Sequence, residues 1–184
     1  MTAADELAAI VRAKRDELVA AGFGDIVAYL ADPAPRPGDA PRTWTLEIWS
    51  PLRTPMISVN DERTAHWATV NGWRRDWRKS TQSAAALMAL PGSHWGDPRR
   101  AGVQRVRIEA ELRFAPPGRR RDTANYHATT KPIVDELVAW GLIPDDTPDH
   151  LDGPHLRFGP NLAPMSQAIA GLVTLTITDL GEST

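Results

Sequence analysis

The 184-residue sequence contains no cysteine, which excludes disulfide bonds, thiolate metal ligands and thiol nucleophiles. No apolar run approaches the ~20 residues that a membrane-spanning helix needs. The first residues are acidic and rich in alanine, unlike those of a signal peptide. The length, with 42% hydrophobic and 24% charged residues, is typical of one globular domain.

The overall net charge of −2 conceals an uneven charge distribution. From Arg63 to Lys131 there are 14 basic and 5 acidic residues, whereas from Pro132 to Thr184 there are 1 and 8. A basic stretch of this kind can bind nucleic acid if it folds onto one surface. A solvated surface with scattered charge would give the same composition, so charge alone leaves both interpretations open.

Hydrophobic periodicity predicts a single domain of the mixed α/β or α+β class. Alternating apolar residues indicate strands over 43–50, 103–114 and 171–180, and helical spacing indicates helices over 66–90 and from Thr130 to just before Gly141. Pro132 suits a first helical turn, and Gly141 suits a C-terminal cap. Segments 51–63 and 151–164 give no clear period. We expect one domain over residues 42–184.

Residues 1–41 are expected to lie outside that domain as a helical appendage and linker. Five apolar residues recur at helical spacing in the first part: Leu7, Ile10, Val11, Leu18 and Val19. The stretch from Asp32 to Pro41 holds four prolines and a glycine, which is typical of an extended linker. The appendage shows no candidate chemistry, so we interpret it as a packing or oligomer-contact element.

The helix over 66–90 combines tryptophans with basic residues. Trp73 and Trp77 recur at a spacing of four, and we interpret them as core rather than as base-stacking platforms. The basic residues beside them form i,i+4 pairs: Arg74, Arg75, Arg78 and Lys79. A solvated helix face or a surface that binds phosphate groups would look the same.

The segment from Arg119 to Asp146 carries the candidate chemistry. It contains, in order, Arg119, Arg120, Arg121, Asp122, Asn125, Lys131, Asp135, Asp145 and Asp146. Each acid alone has an ordinary explanation: an ion pair with arginine, a turn residue or a favourable charge in a helix's first turn. Together, carboxylates beside basic residues are what metal-assisted chemistry on a phosphate backbone requires.

This ordered combination resembles the RusA family of Holliday junction resolvases. The family pattern has arginines before D-x-D-N, then a lysine, D-A-L, a glycine and D-D. Here Asp122 and Asn125 match the first group, Lys131 the lysine, Asp135 the D-A-L and Asp145–Asp146 the final pair. Residues 55–66, with Ser58, Asn60 and Arg63, resemble the family's N-terminal segment. The resemblance covers roughly residues 43–180.

The resemblance implies a RusA-like α+β fold, with a mixed β-sheet flanked by helices. It also implies Mg²⁺-dependent hydrolysis of branched DNA, with Mn²⁺ as a possible substitute. It implies catalytic roles for Asp122, Lys131 and Asp146, and metal binding by Asp122, Asp146, Asp145 and Asn125. The implied DNA-binding residues are Arg119, Arg120, Arg121, Arg74, Arg75, Arg78, Lys79 and Asn60. A homodimer would match the near two-fold symmetry of a four-way junction. The family further suggests a phage or prophage gene and a protein of the bacterial cytoplasm.

The sequence departs from the family pattern in two ways. Asn125 and Lys131 lie three residues further apart than in the short form of the pattern, and Ala124 replaces the second aspartate. Alanine offers no metal ligand. Asn125, Asp135 or Asp145 could complete the ligand set, one metal could bind weakly, or the protein could bind junctions without cutting them. A third class of function, a protein-interaction domain with surface ion pairs, also fits the residues.

Overall fold

The computed structural model describes residues 42–88, 103–116, 122–163 and 169–181. The predicted appendage over 1–41 and the arginines at 119–121 lie outside these ranges. The elements are β1 (Thr43–Trp49), α1 (Val59–Thr64), α2 (Trp67–Met88), β2 (Val106–Phe114), a 3₁₀ turn (Thr123–Tyr126), α3 (His127–Ala139), β3 (Leu151–Phe158) and β4 (Gly171–Asp179).

The four strands form one mixed sheet in the order β1-β4-β2-β3. Both neighbours of β4 are antiparallel to it, whereas β3 runs parallel to β2. This arrangement confirms the predicted α+β class with a mixed sheet and helices. The last strand in the sequence is thus a central strand of the sheet, and its apolar residues alternate with threonines that are partly exposed.

One face of the sheet is buried under the helices. Cross-strand partners such as Leu46 and Ala110, which both pair with Leu175, are buried together. Trp77 of α2 and Ile133 of α3 belong to the same hydrophobic cluster. The helices therefore form one layer and the sheet the other, and the opposite sheet face is polar, as period-two alternation requires.

Three parts of the structure differ from the sequence-based expectations. Segment 51–63 was expected to be irregular, yet most of α1 lies in it. A reciprocal capping box between Ser58 and Asp61 forms the N-terminus of this helix. Segment 151–164 contains β3, whose period was hidden because an edge strand buries few residues. Helix α3 begins at His127 rather than near Thr130, since the preceding 3₁₀ turn already starts its first turn.

Because α3 begins early, Pro132 lies inside the helix and not in its first turn. The C-terminal prediction, in contrast, is confirmed. Gly141 has φ of +79°, its N–H donates to the Val138 carbonyl at 2.9 Å, and the Leu142 N–H donates to the Leu137 carbonyl at 3.0 Å. These two bonds form a Schellman motif, which turns the chain sharply after the helix.

Candidate functional site

Asp122 caps the 3₁₀ turn that leads into α3. Its carboxylate accepts a hydrogen bond from the Ala124 N–H at 3.0 Å, and its carbonyl accepts one from the Asn125 N–H at 3.1 Å. The turn is anchored to the end of the sheet by Tyr126, whose ring lies edge-on to those of Phe114 and Phe158. Asp122 itself is exposed, so a rigid support presents its carboxylate to solvent.

Asp145 and Asp146 lie in the loop after α3. The Schellman turn at Gly141 starts this loop, and the buried side chains of Leu142 and Ile143 hold its first residues against the core. The two aspartates are exposed, and the Asp145 carboxylate accepts a hydrogen bond from the Asp146 N–H at 2.8 Å. The turn thus folds the acidic pair back beside the helix.

Lys131 joins this loop to α3. Its Nζ lies 2.6 Å from Oδ2 of Asp146 and 2.7 Å from Oδ1 of Asp135, one helical turn further along α3. Lys131 and Asp146 were both predicted to be catalytic, and the structure brings them into contact although they are 15 residues apart. This contact uses only one of the two carboxylate oxygens of Asp146.

Helix α2 extends the same cluster. The second oxygen of Asp135, Oδ2, accepts a hydrogen bond from Arg78 at 2.9 Å. Arg78, Asp135, Lys131 and Asp146 therefore form a continuous row of alternating charge, which we call the ionic row. The i,i+4 spacing of Lys131 and Asp135 was visible in the sequence. The Arg78 contact, between residues 57 apart, had no sequence signal.

The ionic row shifts two pKa values in opposite directions. The pKa of Lys131 is raised above its ordinary 10.5, first by the hydrogen bond to Asp135 and then by the one to Asp146. The pKa of Asp146 is lowered below its ordinary 3.8, chiefly by the hydrogen bond and the charge of Lys131. Both groups are consequently charged throughout the neutral range.

The predicted metal ligands fall into two groups, Asp122 with Asn125 and Asp145 with Asp146. Within the described ranges, no three His, Asp or Glu side chains lie close enough together to hold a metal ion. The available donors are the carboxylate oxygens of three exposed aspartates and the amide oxygen of the half-buried Asn125. Mg²⁺ commonly binds through one or two carboxylates, several waters and substrate phosphates. The donors are therefore of the chemical type that Mg²⁺ uses, and among the described residues they do not form a protein-only cage.

The predicted DNA-binding residues of α2 differ in their surroundings. Arg74 forms an ion pair with Glu62 of α1, and Arg78 belongs to the ionic row. Arg75 and Lys79 are exposed, and neither forms an ion pair in the part of the chain that the structure describes. Asn60 is exposed on α1, where its carbonyl accepts a hydrogen bond from Thr64. Of the predicted core tryptophans, Trp77 is fully buried and Trp73 is partly buried.

A second charged cluster, which the sequence did not suggest, lies at the β3 edge. Asp152 accepts hydrogen bonds from Arg107 at 2.7 Å and from His155 at 2.8 Å. These contacts, that of Arg107 first, lower the pKa of Asp152. The cluster joins two neighbouring strands and is accounted for as a cross-strand ion pair.

Comparison of the chain with protein-family models and with curated proteins gives no match. The likeness to the RusA family therefore rests on the sequence motif alone. None of the helices in the described ranges is both long and apolar enough to span a membrane.

Proposed function

We propose that this protein is a Mg²⁺-dependent endonuclease that cuts branched DNA, as its resemblance to RusA resolvases implies. The observation that carries the proposal is the contact between Lys131 and Asp146. Two residues that the family pattern marks as functional meet at the exposed surface of α3, which follows the 3₁₀ turn capped by Asp122.

The chain's own residues have distinct roles in this proposal. Asp122 and Asp146, with Asp145 and Asn125, supply oxygen ligands to Mg²⁺. When bound, Mg²⁺ lowers the pKa of a coordinated water and neutralises charge on the phosphate. Lys131 holds the Asp146 carboxylate in position and places a positive charge beside the phosphate. Asp146 is an anion in the neutral range, as at its ordinary pKa of 3.8, and the lowered pKa extends that state to more acidic pH, so it can serve as a ligand.

The basic residues of α2 and those at 119–121 are proposed to contact the DNA backbone. Such contacts provide affinity and strong salt dependence but little sequence discrimination. Structure selectivity for a four-way junction is proposed to come from a two-fold homodimer that places two sites on two strands.

The experiment is cleavage of a labelled synthetic four-way junction with Mg²⁺ or Mn²⁺, beside a linear duplex of the same sequence. We expect symmetric nicks in the junction only. Asp146→Asn should lower the rate at least about a hundredfold, because it removes a charge that acts directly at the reacting phosphate. Asp149→Asn, an exposed acid in the same loop that has no proposed role, is the matched control and should retain full activity.

A junction-binding protein without nuclease activity is the second candidate. Ala124 and the absence of a three-carboxylate group among the described residues favour it. It predicts a stable junction complex with no nicks under either metal, and Ala124→Asp would then be the variant that introduces cleavage. If the protein neither binds nor cuts the junction, the result favours the remaining alternative, a protein-interaction domain.

A further inference from the structure

A groove of about 550 Å³ lies between the end of β1 and helix α2. Its apolar lining includes Trp49, Leu52 and Leu87, whose exposed fractions are 39%, 73% and 66%. The remaining apolar lining residues are Pro51 and Ala84, and the polar or charged half of the lining consists of Glu47, Asp76, Lys79, Ser80 and Ser83. Exposed apolar side chains gathered in one concave surface are a feature of binding sites.

The chain itself supplies a candidate occupant. Residues 1–41 lie immediately before β1, and their first part is predicted to be an amphipathic helix. Its apolar residues Leu7, Ile10 and Leu18 recur on one face. Such a stripe stabilises a helix only when it is buried against another surface. An apolar helix face in an apolar groove is a recurrent mode of recognition.

The linker is long enough to bring that helix to the groove. In an extended polyproline conformation, Asp32–Pro41 would reach about 31 Å at ~3.1 Å per residue. The groove lies near the far end of β1, which at ~3.3 Å per residue is about 20 Å from the strand's first residue. The linker can therefore run back along the whole strand and leave the helix over the groove.

We infer that residues 1–31 bind in the groove lined by Trp49, Leu52 and Leu87 of the same molecule. A short tether gives the segment an effective concentration on the order of millimolar, so binding within one molecule outcompetes binding between molecules at ordinary protein concentrations. The inference does not rest on the proposed nuclease function: the groove contains none of the proposed catalytic or metal-binding residues, and of the proposed DNA-binding residues within the described ranges it contains Lys79.

The absence of cysteine from the sequence allows a direct test by disulfide formation in the full-length chain. The test variant combines Ile10→Cys with Leu52→Cys. The matched control combines Ile10→Cys with Arg157→Cys, an exposed position on β3 at the opposite edge of the sheet. Both pairs are oxidised at low micromolar concentration and analysed by non-reducing electrophoresis and peptide mass spectrometry.

We expect the test pair to form a disulfide within one monomer at least about tenfold faster than the control pair, given the effective concentration of a tethered segment. A disulfide that forms mainly between two chains would overturn the inference in favour of a second copy as occupant. Equal rates for both pairs would overturn it as well, because the segment would then have no preference for the groove.

A footprinting measurement on the full chain provides an independent readout. Replacing Leu7, Ile10 and Leu18 together (Leu7→Ser, Ile10→Ser, Leu18→Ser) removes the apolar stripe and leaves the described domain unaltered. Hydroxyl-radical labelling of Leu52 and Leu87 should then rise, whereas labelling of the buried Leu175 should not change. Unchanged labelling of Leu52 and Leu87 would contradict the inference.

Discussion

Thr129 shows how a single buried hydroxyl connects two parts of the fold. The side chain is fully buried, and its hydroxyl donates to the Ile57 carbonyl at 2.8 Å. A helix that began near Thr130, as the sequence predicted, would make Thr129 or Thr130 its cap, but α3 begins at His127 and both threonines lie inside it. A hydroxyl that caps a helix and one that bonds to a distant carbonyl look identical in sequence.

Replacing Thr129 by valine should destabilise the protein by about 1–3 kcal/mol, because the nearly isosteric change leaves the Ile57 carbonyl buried without a partner. Thr130→Val is the matched control. Thr130 is equally buried, but its hydroxyl donates to the His127 carbonyl at a longer 3.3 Å. Thr130→Val should therefore lower the free energy of unfolding by less. Urea unfolding monitored by circular dichroism measures both. Equal losses would contradict this assignment.

The contact between Lys131 and Asp146 has a defined pH dependence. The pKa of Asp146 is lowered in the folded state, so its contribution is present above the ordinary value of 3.8 and disappears as the pH falls through the folded value. The pKa of Lys131 is raised, so its contribution is present below 10.5 and disappears as the pH rises through the folded value. The pair therefore persists throughout the neutral range.

NMR titration of the Asp146 side-chain carbonyl should give a midpoint below 3.8 in the native protein. Lys131→Met should raise that midpoint, because it removes the principal cause of the shift, whereas Lys131→Arg should retain most of it. A midpoint that does not respond to Lys131→Met would show that the contact is not maintained in solution.

At the scale of elements, two glycines have opposite requirements. Gly72 lies inside α2, and a Cβ there would meet no atom within 4 Å. Gly171 begins β4, where a Cβ would lie 2.5 Å from the Arg113 carbonyl and 3.2 Å from the Met56 sulfur. The first position tolerates a side chain, and the second depends on its absence so that the strands can pair closely.

Gly72→Ala should therefore stabilise the protein by about 0.5–1 kcal/mol, the usual gain within a helix. Gly171→Ala should destabilise it by about 1–3 kcal/mol, since the backbone of β2 must move to relieve the overlap. Thermal or urea unfolding of the two variants is the measurement. A stable Gly171→Ala variant would mean that the β2–β4 contact is looser than the structure indicates.

Elements that bury one full face were predictable, and those that do not were missed. The strict alternation up to Phe114 predicted β2 with its correct last residue, although the strand starts at Val106 and not at the predicted Val103. The threonine alternation after Gly171 predicted β4. Strand β3 was missed because it is an edge strand with little buried surface. Helix α1 has no buried residue, so its capping residues Ser58 and Asp61 were its only local signal.

At the scale of the whole molecule, the sequence predicted some proximities and missed others. The motif named Lys131 and Asp146 as candidate site residues, and a single helix with a tight exit brings them into contact. The link from Asp135 to Arg78 depends on how α2 packs against α3. Such packing is fixed by the core residues of both helices, and no local pattern in the sequence contains it.

On the proposed function, that packing determines which basic residues are available to DNA. Arg78 must exchange its contact with Asp135 for a phosphate, whereas Arg75 has no ion pair to break within the described residues. Each cation that contacts a phosphate adds about one to the slope of log affinity against log salt. On the proposed function, Arg75→Ala should reduce this slope by about one, and Arg78→Ala should reduce it by less.

Fluorescence anisotropy of a labelled four-way junction, measured across a salt series, gives the slope for each variant. Both substitutions remove an arginine side chain from an exposed position of α2. A difference between their slopes therefore reports the pairing of Arg78 with Asp135. Asp135→Asn should release Arg78. In that background, Arg78→Ala should reduce the slope of log affinity against log salt as much as Arg75→Ala does. If the two arginine variants lower the slope equally in the native protein, the ionic row does not restrain Arg78 when DNA binds.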